Sequence, residues 1–112
     1  MADTAAAAMG PLTVVTFPAE IDMATAGALG EQVAAALAPG VPAVIADMTA
    51  TTFCDSAGIT MLIRANKQAT AHGAELRLLL SCPNVVRVLQ IQGVNAVLPI
   101  YHNLEEALAA SG

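Results

Sequence analysis

Asp55, Ser56 and Gly58 fall within Thr52-Phe53-Cys54-Asp55-Ser56-Ala57-Gly58-Ile59, where a β-like apolar run gives way to a helical pattern. A serine there sits at the open N-terminus of a helix, whose first N–H groups lack partners and carry partial positive charge. A phosphoryl group on Ser56 could accept those N–H groups. It would also add a charge of about −1.5 to −2. Beside Asp55 that charge is repulsive, so a partner that accepts the unmodified surface would reject the modified one. Asp55 reads as a helix cap or as a group that orients the Ser56 hydroxyl toward a kinase. Ser56 reads as an ordinary first-turn serine or as a residue acted upon. Gly58, without a side chain, would leave room for a partner at the helix start.

Other chemistry has little support. The chain contains no phosphate-binding glycine loop with a following lysine, no dinucleotide fingerprint and no GxSxG elbow. His72 and His102 are the only imidazoles and lie near element boundaries, as surface residues do. Two cysteines, Cys54 and Cys82, are too few and too far apart for a zinc knuckle or a disulfide scaffold. Met9, Met23, Met48 and Met61 are expected to be packing residues. No catalytic residue, cofactor site or metal site is expected.

Charge narrows the partners. The net charge is −5, and no Lys or Arg precedes Arg64, whereas Asp3, Glu20, Asp22, Glu31, Asp47 and Asp55 all do. An acidic first half favours a basic partner and disfavours direct nucleic-acid binding; as a purely solubilising surface it needs no partner at all. No uncharged apolar run reaches membrane-spanning length, and the N-terminus lacks a basic leader, so membrane insertion is not expected and a cytoplasmic location is.

The elements that must hold the junction follow from periodicity. At 112 residues and 56% hydrophobic, the chain is sized for one ordered domain. Residues 1–11 read as a loose arm and 12–112 as the domain. Leu12–Phe17 is the first strand; Glu20-Ile21-Asp22 leads out of it, and Asp22 or Thr25 caps a helix over 24–38. A buried strand covers 43–48, a second helix 56–71, and a third strand 75–80. Ser81 or Cys82 caps a third helix with Pro83 in its first turn and Gly93 after its end. A short strand over 96–100 and a last helix capped by Asn103 complete an alternating pattern. Such alternation predicts an α/β domain with a mixed or mostly parallel sheet of four to five strands and about four helices.

The ordered set of Glu20-Ile21-Asp22 with Thr25, the strand holding Asp47, Phe53-x-Asp55-Ser56-x-Gly58-Ile59, Pro83 with Val86 and Leu89, and Gly93-Val94 resembles the STAS domain. The resemblance covers roughly residues 12–110 and is specifically to small stand-alone anti-sigma factor antagonists. It implies a single STAS-like domain that is not an enzyme. It implies that Ser56 is a phosphorylation site and that the partner is an ATP-binding anti-sigma factor acting as the serine kinase. The unmodified antagonist would bind that partner and free the sigma factor; phosphorylation would release it, and a PP2C-type serine phosphatase would reset it. Asp22, Asp47, Asp55 and Gly58 would define the partner-binding surface. Two departures stand out. Family members usually open with an extra strand, here replaced by a short alanine-rich segment, and Pro18-Ala19 stands where a glycine usually precedes the glutamate. The alternative role is a STAS interaction or ligand-binding module of a transporter-associated or stress-signalling complex, with no phosphorylation cycle. Cys54 and Cys82 each follow a strand, so they are either two reduced thiols or a redox-sensitive disulfide.

Overall fold

The computed structural model describes residues 13–109. Six strands and four helices follow in order: β1 (Thr13–Thr16), β2 (Glu20–Ile21), α1 (Met23–Ala36), β3 (Ala43–Met48), β4 (Phe53–Cys54), α2 (Ser56–Ala71), β5 (Glu75–Leu80), α3 (Pro83–Ile91), β6 (Ile100–Tyr101) and α4 (Leu104–Ala109), with a 3₁₀ turn at Val94–Ala96 between α3 and β6. Among the described residues the main sheet runs β1-β3-β5-β6, and β2 and β4 form a separate two-stranded ribbon. Every strand pair in both is parallel.

Strand alternation sorts the core into two layers. In β3 and β5 the residues Val44, Ala46, Met48, Leu76, Leu78 and Leu80 point to one face, where they pack with α1, α2 and α3 through Leu29, Val33, Leu62, Ala65, Val85 and Leu89. Ile45 and Leu79 point the other way and meet Ala107 of α4. Arg77 shares this second face. It is 3% exposed, its Nε donates to Glu75 Oε1 at 2.6 Å, and its guanidinium donates to the Ala107 carbonyl at 2.7 Å. A buried cation is tolerable because it is paired and hydrogen-bonded, and this one pins α4 to the sheet.

Three expected elements differ. The segment leading out of the first strand and the junction before Ser56, not expected to pair, form the β2–β4 ribbon, with Glu20 opposite Phe53 and Ile21 opposite Cys54. The last strand is Ile100–Tyr101 rather than 96–100. Gly93, at φ 78, turns the chain into the 3₁₀ turn instead, and Val94 and Leu98 plug the core. The third helix begins after Cys82, but no side chain caps it. The arm read over residues 1–11 lies outside the described residues.

Candidate functional site

The ribbon brings two helix starts together. Asp55 N–H donates to the Ile21 carbonyl at 3.0 Å, continuing the β2–β4 pairing to the point where both chains turn into helices. Thr51 is fully buried, and its hydroxyl donates to the Pro18 carbonyl at 2.7 Å. Thr52 N–H donates to the Ala19 carbonyl at 2.8 Å. These bonds hold the segment before α2 against the segment before α1. Thr51 was not singled out in the sequence, because its partner is 33 residues away.

Each helix is capped by one of the expected aspartates. Asp22 Oδ1 accepts from Ala24 N–H at 2.9 Å and Thr25 N–H at 3.2 Å, and Thr25 Oγ1 accepts in return from Asp22 N–H at 2.9 Å. Both residues therefore take part in one capping box. Asp55 Oδ1 accepts from Gly58 N–H at 3.1 Å. Ser56, the first residue of α2, is exposed, and its hydroxyl makes no hydrogen bond to another described residue. Asp55 is thus occupied with the cap, and the serine hydroxyl points free beside it. Asp47 lies near the carboxyl end of β3, where its Oδ1 accepts from Thr49 N–H at 3.0 Å and Thr49 Oγ1 at 2.7 Å. That carboxylate shapes the turn after the strand and is not engaged with Ser56. Functional groups of open parallel sheets gather at this carboxyl end.

Gly58 has a different job from the one expected. It is buried, and a Cβ there would lie 2.7 Å from both Cys54 Sγ and Ile21 Cγ2. The missing side chain lets α2 close onto the ribbon; it does not open space for a partner. Cys54 and Cys82 are free cysteines in this structure. Burial, with the Asp55 charge adding to it, pushes the Cys54 thiol up to about 11. Met48 and Met61 pack in the core as expected, whereas Met23 is 83% exposed; Met9 lies outside the described residues.

Neither imidazole is hydrogen-bonded to Ser56 among the described residues. His72 caps the far end of α2, about 24 Å along the axis for its 16 residues. The His102 ring nitrogen Nδ1 lies 3.4 Å from the Leu80 carbonyl, at the edge of β6. A groove of about 470 Å³ between α1 and α2 is lined by residues such as Gly27, Gly30, Ala34, Thr60 and Arg64, with no imidazole or thiol in its wall. Among the described residues no three His, Cys, Asp or Glu side chains are grouped to hold a metal, and no helix is long and apolar enough to cross a membrane.

Comparison with known proteins agrees with this architecture. The STAS domain family model matches residues 4–107, and the chain belongs to the STAS domain family. The structure is similar to an anti-sigma factor antagonist from Mycobacterium paratuberculosis, with 29% identity, a TM-score of 0.75, and coverage of 85% of this chain and 80% of that one. It is similar to a STAS domain protein, described as an anti-sigma-factor antagonist, from Planctomyces limnophilus, with 27% identity, a TM-score of 0.74 and 85% coverage of each chain. It also shares its fold with the anti-sigma factor antagonist SpoIIAA in its unphosphorylated form, at 22% identity, a TM-score of 0.71 and coverage of 86% and 84%. SpoIIAA from Bacillus has likewise been solved phosphorylated. A search of curated protein sequences finds no significant match.

Proposed function

We propose that this protein is an anti-sigma factor antagonist whose binding is switched by phosphorylation of Ser56. In the unmodified state it binds an ATP-binding anti-sigma factor that is also its serine kinase, and so frees a sigma factor. The observation that carries this reading is the exposed, unengaged Ser56 hydroxyl at the first position of α2, beside an aspartate already committed to the cap. A serine whose hydroxyl is hydrogen-bonded to no described base suits a substrate better than a nucleophile. The likeness to antagonists from Mycobacterium paratuberculosis and Planctomyces limnophilus supports the same role.

Phosphorylation leaves the fold in place and changes the surface. The phosphoryl group gains from the positive end of α2 but brings negative charge beside Asp55, with Asp22 capping the neighbouring helix. A partner face complementary to the unmodified surface loses its match, which supports release. A PP2C-type serine phosphatase restores the unmodified form in a cytoplasmic cycle coupled to stress signalling. The protein itself is not an enzyme.

The test is phosphate transfer. Incubation with the ATP-binding protein that co-purifies from the native host, with ATP and Mg²⁺, is expected to add one phosphate, mapped to Ser56, and none to Ser56→Ala. Stoichiometric modification of Ser56→Ala would refute the assignment.

A further inference from the structure

Two large apolar side chains at the ribbon and the helix start beside it are left largely or half in water. Met23, the first residue of α1, is 83% exposed, and Phe53 in β4 is 50% exposed. Their neighbours point inward: Ile21 and Cys54 alternate with Glu20 and Phe53 along the ribbon, so the first pair is buried and the second shares the outward face. Glu20 and Phe53 are register partners on adjacent strands, about 4.8 Å apart. Met23 and Ser56 start the two helices that leave this ribbon.

Local folding does not call for either residue. An acidic side chain in the first turn would gain from the helix dipole, yet the first turn of α1 has none and opens on methionine. Phe53 sits in a two-residue strand with half its surface in water. Single exposed apolar residues need no explanation; two of them bordering one candidate modification site do.

The charged residues of the ribbon and its two helix caps are all acidic. Glu20, Asp22 and Asp55 lie on or beside the ribbon. Of the four cations, Arg64 is eight residues beyond Ser56 in α2, about 12 Å along the axis, Lys67 is further still, and Arg77 is buried against Glu75; Arg87 is on α3, which packs against β4. Methionine and aromatic residues are enriched in interface centres, with charged residues forming the rim.

We propose that Met23 and Phe53 are the apolar anchors of this surface, and that its partner presents a basic face with a cleft for a methionine and a phenyl ring. This rests on the reading of Ser56 as the switch of a kinase-binding surface and extends it. Rim charges of opposite sign steer association, whereas buried anchors hold the complex, so the two contributions separate in kinetics. Phosphorylation of Ser56 then acts on a contact whose grip comes from its neighbours.

Binding kinetics of the full chain with its ATP-binding kinase test this. Met23→Ala and Phe53→Ala are each expected to raise the dissociation rate by about tenfold or more, with little change in association rate or its salt dependence. Met23→Leu and Phe53→Tyr should stay within about threefold of wild type, because conservative replacements keep most of the contact. Ile91→Ala, which alters a 70% exposed apolar residue on α3, should have no effect. Wild-type dissociation from both alanine variants overturns the anchors while leaving the switch intact. Should Phe53→Ala melt early, Met23→Ala at its more exposed site decides. If wild type binds no ATP-binding kinase at all, the functional reading falls and the anchors fall with it.

Discussion

Replacing Gly58 with alanine tests whether close approach, rather than open space, explains the glycine of the junction. The new Cβ would sit 2.7 Å from Cys54 Sγ and 2.7 Å from Ile21 Cγ2, separations real Cβ atoms do not show. Neither neighbour can swing into solvent, since Ile21 is fully buried and Cys54 is 7% exposed. Adding a methyl to such a site costs about 1–3 kcal/mol. Alanine recovers up to about 1 kcal/mol in helix propensity, and less in the first turn. The net destabilisation should be about 1–2 kcal/mol, a drop in melting temperature of roughly 4–10 °C for a domain of this size. Because Gly58 also donates to Asp55 Oδ1, the shift should disturb the cap that presents Ser56. Thermal and urea unfolding of wild type, Gly58→Ala, Cys54→Ala and the double variant form the assay. Removing Sγ relieves one of the two clashes, so the double variant should be more stable than the sum of the singles by at least about 0.5 kcal/mol. A Gly58→Ala protein as stable as wild type, or strictly additive effects, would refute the packing account.

Four further outcomes follow from the same geometry. Asp55→Ala should cost about 1 kcal/mol in urea unfolding and Asp55→Asn clearly less, because asparagine also caps. Thr51→Val should cost about 1–2 kcal/mol by stranding the Pro18 carbonyl; amide exchange should quicken in β2 and β4 before the main sheet. The folded Cys54 thiol, raised from 9.0 to about 11, holds its proton more tightly than the unfolded one. Its contribution is therefore present below pH 9.0 and lost as pH rises toward 11, so stability should fall across that window, an effect absent in Cys54→Ala. At neutral pH iodoacetamide should label the half-buried Cys82 first and reach Cys54 only on unfolding; equal labelling rates in the folded state would contradict the burial.

Much of the frame was legible because its signals are local. Asp55 ahead of the apolar stripe and His72-Gly73 after it bound α2 correctly at Ser56–Ala71, and Gly73 does take the left-handed turn that a stop requires. The continuous apolar runs of β3 and β5 mark strands buried on both faces, at the residues expected. The β2–β4 ribbon was not legible. Two-residue strands have no period, and the bonds that hold them join residues 33 apart in the chain. The packing role of Gly58 is hidden in the sequence because its neighbours, Cys54 and Ile21, come from that ribbon. Composition does not separate a packed methionine from an exposed one at the start of a capped helix, which is where Met23 lies. Val97 and Leu98 resembled a strand, yet Leu98 fills the core from a turn while Val97 stays exposed.

In the proposed switch, phosphate on Ser56 ends an interaction that the bare surface sustains. The most direct measurement compares the affinity of the ATP-binding partner for unmodified protein, for protein phosphorylated at Ser56, and for Ser56→Ala and Ser56→Asp. Unmodified protein and Ser56→Ala should bind alike, with the phosphorylated form and Ser56→Asp weaker by about tenfold or more, a difference of about 1.4 kcal/mol. Equal affinity across all four forms, with the partner bound, would contradict the account.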